Sequence, residues 1–203
     1  MIGVYTLPVL VSYMGLFCAF LASLLALGGN IRYAVIFFIL AGLFDLFDGM
    51  VARLLNKTDK EKIFGVQIDS IIDVCSFGVA PIIIAYALGM NAPLDFVLMF
   101  AYVSAAAMRL SYFNYLVISS NEEGPVKYYT GLPVTYSTII FPLVILLKIC
   151  FDADIFSWLL RGAFILVTIL FVSNIKIPKP KGIFYIIFPI LSFIYALLVL
   201  LWL

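Results

Sequence analysis

Apolar residues run along the chain in seven long blocks, and the polar residues between them are few and clustered. The blocks span approximately 8–28, 31–54, 64–89, 93–118, 132–150, 155–173 and 182–203. Between them lie Gly28-Gly29-Asn30, Asn56–Lys62, Gly89–Pro93, Ser119–Gly131, Phe151–Asp154 and Ile177–Lys181. Each block approaches the ~20 residues a helix needs to cross the hydrocarbon core. None alternates with period two, as a lipid-facing barrel strand would. The pattern predicts an all-α polytopic membrane protein whose short connections make neighbouring helices antiparallel. No internal repeat breaks the series, so residues 1–203 read as one membrane domain.

Composition sharpens this. Of 203 residues, 66% are hydrophobic and 11% charged, against about 25% charged in a soluble domain. A formal net charge of +1 gives no bulk attraction for nucleic acid. The absence of histidine excludes imidazole as general base or metal ligand, leaving carboxylate, Lys, Tyr or Cys for proton transfer. Cys18, Cys75 and Cys150 are widely spaced in apolar blocks and read as small buried hydrophobes. The first ten residues lack the basic and small-residue features of a removable signal peptide. With the 56–62 turn in the cytoplasm, Arg53, Lys57, Lys60, Lys62, Arg109, Lys127, Lys176, Lys179 and Lys181 fall on that side, and only Arg32, Lys148 and Arg161 on the other. The excess predicts a protein of the cytoplasmic membrane whose 45–73 region opens to the cytoplasm and whose C-terminus lies outside.

Candidate chemistry sits where the apolar pattern is interrupted. Asp45 and Asp48 end one block, and Asp69 and Asp73 lie in the next. An ionisable residue at mid-helix costs roughly 2.5–3.5 kcal/mol on insertion scales and normally faces a polar cavity. At about 100° per residue, Asp48 lies ~60° from Asp45, Gly49 ~40° and Ala52 ~20°. One stripe thus presents two acids and two residues with almost no side chain, with Arg53 at its mouth. Gly65, Asp69 and Asp73 repeat at i+4 as a second stripe, flanked by Gln67 and Ser70. In antiparallel helices the two acid pairs meet at similar depth. Four carboxylates so close repel one another unless some are protonated or cations intervene. One or two hard divalent ions, Mg²⁺, Mn²⁺ or Ca²⁺, suit an all-oxygen ligand set and would hold substrate phosphates. A polar interhelical contact and an ion-conducting site are the competing readings.

The pattern Asp45-x2-Asp48-Gly49-x2-Ala52-Arg53, followed by Gly65-x3-Asp69-x3-Asp73, closely resembles the signature of the CDP-alcohol phosphatidyltransferases. It departs in one respect, a longer spacer between Arg53 and Gly65, and the surplus falls in the Asn56–Lys62 turn. The resemblance implies a six-helix core (about 8–173) with the span 182–203 as an addition, commonly in a homodimer. It also implies a dinuclear metal site where a CDP-lipid meets an alcohol. Carried over, Asp45, Asp48, Asp69 and Asp73 are metal ligands, and Asp73 is also the catalytic base. Asp48, Gly49, Ala52, Arg53, Gly65 and Asp69 border the nucleotide.

Further segments resemble the bacterial and archaeal phosphatidylserine synthases of that family. They are Ser76-Phe77-Gly78-Val79-Ala80-Pro81, Arg109-Leu110-Ser111-Tyr112-Phe113-Asn114, Tyr129-Thr130-Gly131-Leu132-Pro133 and Val172-Ser173-Asn174-Ile175-Lys176. They imply L-serine as acceptor and CDP-diacylglycerol or CDP-archaeol as donor. Serine carries a carboxylate, which the intramembrane Arg109 can pair; Lys127, in the loop that follows, is the second candidate. Arg109 could instead snorkel to headgroups, and Lys127 could be a solvated charge. Asn114, five residues on, faces elsewhere on an ideal helix. Gly131-Leu132-Pro133 reads as a helix start. A phosphorylated acceptor, glycerol 3-phosphate or inositol phosphate, would call for more basic residues than these. A prenyltransferase would lack the in-phase Gly, Ala and Arg, and a cation carrier would need polar residues through the full bilayer depth.

Overall fold

The computed structural model describes residues 3–55, 58–119, 128–178 and 184–202. Helices α1 (Leu7–Leu27) and α2 (Ile31–Leu54) form an antiparallel hairpin. Pro8 opens α1, and the chain reverses at Gly28-Gly29, with Gly29 at φ +78°. Small residues form the seam between these helices: Ala19, Ala22, Ala26, Ala34 and Ala41 are buried. A Cβ on Gly15 would lie 3.3 Å from that of Phe44. Close backbone approach of this kind drives helix association where lipid removes the hydrophobic incentive.

The next span starts earlier than the apolar pattern indicates. Thr58 accepts from Glu61 N–H while the Glu61 carboxylate accepts from Thr58 N–H at 2.8 Å. This capping box starts α3 (Asp59–Asp73) inside the stretch expected to be a turn. From Asp73 the chain runs through a π-helical segment, Val74–Val79, into α4 (Ala80–Ala87). The whole is one apolar helical span of 29 residues. Tyr102, fully buried on α5 (Pro93–Ser119), donates to the Phe77 carbonyl at 2.7 Å within the π segment.

After α5 the chain enters β1 (Tyr128–Thr130), then a 3₁₀ turn, Val134–Tyr136, and α6 (Ser137–Leu146). Helix α7 (Ala153–Val172), β2 (Lys176–Pro178) and α8 (Phe184–Trp202) complete it. The short strands pair antiparallel, Thr130 opposite Lys176, and were not expected from the apolar pattern. Gly131 N–H continues the ladder to Ile175 O. Gly131 sits at φ +77°, and a Cβ there would stand 2.6 Å from Phe171 O. The expected helix start at Gly131-Leu132-Pro133 is therefore displaced to Val134, because this segment is tied to the end of α7.

Five of the seven expected spans are helices long and apolar enough to cross a membrane; Val134–Ile149 and Ile187–Leu201 are shorter apolar helices. The protein is a multi-pass, overwhelmingly helical membrane protein. Its core includes an aromatic cluster of Tyr102, Phe141, Phe164 and Phe171, with ring centroids 4.6–5.6 Å apart in the contacting pairs. Large side chains such as Phe100, Met108, Trp158 and Phe193 point outward, as expected where lipid is the solvent. Cys18 is buried, but Cys75 and Cys150 are exposed, correcting the expectation for those two. A weakly polar thiol is compatible with an apolar surround.

At the end of the bundle away from the acids, Asp95 is fully buried. It accepts from Arg161 at 2.6 and 3.1 Å and from Ala92 N–H at 3.0 Å. Arg161 also lies 4.9 Å from the centre of the Trp158 ring. Removing one partner strands a charge. Arg161→Leu is expected to destabilise the protein by about 3–5 kcal/mol, read as lower thermal stability in detergent. Asp95→Asn with Arg161→Leu should recover most of the loss.

Candidate active site

The acids expected to converge do so. Helix α2 supplies Asp45 and Asp48, and α3 supplies Asp69 from across the interface. One carboxylate oxygen from each lies within 4.8 Å of the others. Asp73, one helical turn further along α3, lines the same cavity, and its side chain comes within hydrogen-bonding reach of Asp45. Asp48 and Asp73 are each only 7% exposed. The cavity, about 250 Å³, is walled by α2, α3, α5, the 3₁₀ turn, α6 and α8.

Neighbouring hydroxyls hold two of the carboxylates. Ser12 of α1 donates to Asp48 Oδ2 at 2.5 Å. Thr135, in the 3₁₀ turn, donates to Asp45 Oδ2 at 2.8 Å. Each aims a carboxylate from outside its own helix. Across the cavity Arg109 lies close enough to Asp45 for electrostatic interaction. Asn114 lines the same wall and accepts from Ser70 at 3.1 Å. This corrects the expectation that Asn114 faces elsewhere: the cavity spreads around the end of α5, and the long Arg109 side chain reaches it from another helical angle.

The small residues behave in two ways. At Gly49 and Gly65 an added Cβ would meet nothing within 4 Å, so open space adjoins the backbone of both acidic helices. At Gly42, also in the cavity wall, a Cβ would lie 2.3 Å from Thr138 Oγ1, so α2 and α6 meet there without a spacer. Ala52 is half-buried in the last turns of α2. The Arg53 side chain and all of Lys127 lie outside the described residues.

The donor set is all carboxylate oxygen, the chemistry of a hard divalent cation. Asp73 Oδ1 is buried without a hydrogen-bond partner among the described residues, and three acids crowd one spot. Both features fit a cation in contact with this cluster.

Comparison with known proteins agrees with this geometry. The family profile described as CDP-alcohol phosphatidyltransferase matches residues 5–173. The chain belongs to the CDP-alcohol phosphatidyltransferase family. Among relatives in the family, the archaetidylserine synthase of Methanothermobacter thermautotrophicus is 34% identical over 179 residues, covering 87% of this chain and 71% of that protein. The CDP-diacylglycerol–serine O-phosphatidyltransferase of Helicobacter pylori (strain J99) is 37% identical over 141 residues, 68% of this chain. The enzyme of that name in Methanocaldococcus jannaschii is 38% identical over 152 residues, 73% of this chain. The matches span 56% of the Helicobacter relative's length and 65% of the Methanocaldococcus one's.

Ser12, Thr135, Phe188 and Ser192 belong to the cavity or its supports and were not singled out from sequence. Supporting partners of metal ligands typically change affinity or activity by 10–100-fold when removed. With Asp45 and Asp48 as cation ligands, Thr135→Val and Ser12→Ala would each be expected to raise the divalent-cation concentration for half-maximal activity about tenfold or more. A metal titration of the purified variants measures it.

Proposed function

We propose that this chain transfers a phosphatidyl or archaetidyl group from a CDP-lipid to the hydroxyl of L-serine, releasing CMP. The observation that carries this is the convergence of Asp45, Asp48 and Asp69 oxygens within 4.8 Å, on a cavity that also holds Asp73 and Arg109. Relatives named for transfer to serine support the choice of acceptor.

In this reading Asp45, Asp48, Asp69 and Asp73 hold divalent cations, two per site, Mg²⁺ or Mn²⁺ before Ca²⁺. Bound cations would offset the charge of the donor's pyrophosphate and of the transferring phosphoryl group. Ser12 and Thr135 keep Asp48 and Asp45 aimed at that point. The open space beside Gly49 and Gly65 admits the cytidine against the backbone, with Ala52 and Arg53 at the same mouth. Arg109 pairs with the serine carboxylate, and Lys127 is a second candidate for the acceptor. Asp73 takes the proton from the serine hydroxyl as its oxygen bonds to the lipid-side phosphorus. The bond from that phosphorus to the bridging oxygen breaks, and CMP leaves with the electron pair. Positioning and charge neutralisation supply most of the acceleration.

The basic-residue asymmetry supports a cavity opening to the cytoplasm. The homodimer implied by the resemblance is part of the same proposal, measured by the mass of the purified protein in detergent.

Asp73→Asn is expected to preserve folding and lower turnover by at least about 10²-fold, the lower range for loss of a general base. Wild-type turnover in that variant would remove Asp73 from the base role. Purified protein with CDP-diacylglycerol, Mn²⁺ and a panel of serine, glycerol 3-phosphate and inositol phosphate is expected to release CMP with serine. CMP release with a phosphorylated acceptor instead would reassign the acceptor. EDTA is expected to abolish release and Mn²⁺ to restore it.

A further inference from the structure

The family match ends at residue 173, but the wall of the cavity continues beyond it. Helix α8 packs against α2 and α6. Its inner face carries Phe188, Ser192, Tyr195 and Val199, a stripe at i+3 and i+4 spacings. Val199 is fully buried. Phe188 and Ser192 line the cavity, and Phe188 meets the Tyr136 ring edge-on at 5.7 Å. Ile190, Phe193, Ile194 and Leu197 on the outer side are exposed.

Two observations describe the α8 side of the cavity. Leu43 and Leu46 of α2 and Ile139 of α6, the helices on which α8 packs, also line the cavity and are apolar. Ser23, Ser157 and Thr168 each donate to the carbonyl four residues earlier. Ser192 makes no hydrogen bond to any described residue. A half-buried hydroxyl that forgoes the local carbonyl keeps its bonding capacity for a ligand.

The donor inferred above is an amphiphile, and the cavity is lined by both carboxylates and apolar side chains. We propose that α8 forms the lipid-recognition wall of the site. Leu43, Leu46, Ile139 and Phe188 take the glycerol-proximal part of the donor's chains. Ser192 donates a hydrogen bond to the oxygen linking a chain to the glycerol. This rests on the CDP-lipid reading and adds the half of the donor that the acids do not contact.

The test is equilibrium binding by the purified full chain in detergent with Mn²⁺. The probes are CDP-diacylglycerol and water-soluble CDP-glycerol, which has the same nucleotide and pyrophosphate but no chains. Ser192→Ala and Phe188→Ala are each expected to weaken CDP-diacylglycerol about fivefold or more, the scale of one lost hydrogen bond or apolar contact. CDP-glycerol affinity should stay within about twofold of wild type, which also shows that the variants are folded. Ser192→Thr, which keeps the hydroxyl, should bind like wild type. Unchanged CDP-diacylglycerol affinity in both alanine variants, or equal weakening of both probes, overturns the role of α8 while leaving the CDP-lipid reading in place. A wild-type protein that binds neither probe defeats the CDP-lipid reading, and the role of α8 with it.

Discussion

Mutual repulsion among carboxylates gathered on one cavity is the constraint around which this bundle is arranged. Asp45, Asp48 and Asp69 bring oxygens within 4.8 Å of one another, with Asp73 a turn away and mostly buried. Such an arrangement is unfavourable unless positive charge or protons intervene. The surroundings hold the acids together nonetheless. Ser12 and Thr135 reach Asp48 and Asp45 from segments far apart in the chain. The close packing of α2 on α6 at Gly42 and Thr138 brings the Thr135 turn within reach.

The two ends of the bundle solve the problem of charge in lipid differently. At one end Asp95 and Arg161 neutralise each other directly, with ring stacking on Trp158 and a backbone bond to Ala92. That end is satisfied within the protein. At the other end the acids face a cavity, and among the described residues they retain an unpartnered buried oxygen at Asp73. A site that binds ligand has to leave part of its electrostatic demand unmet by the fold.

Much of the acidic half was legible because helical periodicity is a local property. Asp45, Asp48 and Gly49 share a stripe by angle alone, as do Gly65, Asp69 and Asp73, and antiparallel neighbours bring the stripes together. The start of α3 was also written locally, in the Thr58–Glu61 spacing, but the charged composition of Asn56–Lys62 drew the boundary too late. Thr135 was not legible: it lies in a 3₁₀ turn fixed by the Gly131 contact with α7 and by a three-residue strand pair. Neither feature has a periodic signature. Ser12 and Ser192 carry no local signal: both are small polar residues in apolar helices, and only tertiary packing brings Ser12 to Asp48 and Ser192 to the cavity. Asn114 was misjudged because an ideal helical wheel takes no account of a cavity that spreads around a helix end.

The π-helical segment Val74–Val79 sets a rule for anyone transplanting this chemistry. Wider turns change the angular phase of whatever follows, so α3 and α4 are not two halves of one ideal cylinder. The phase offset lets Asp73 face the cavity while Ala80, Ile84 and Ala85 are buried in the core. A graft that copies the acids onto a straight α-helix would keep their spacing yet turn the lower part of the span away from its packing partners. The six residues of the wide turn would have to travel with the acids as a single cassette.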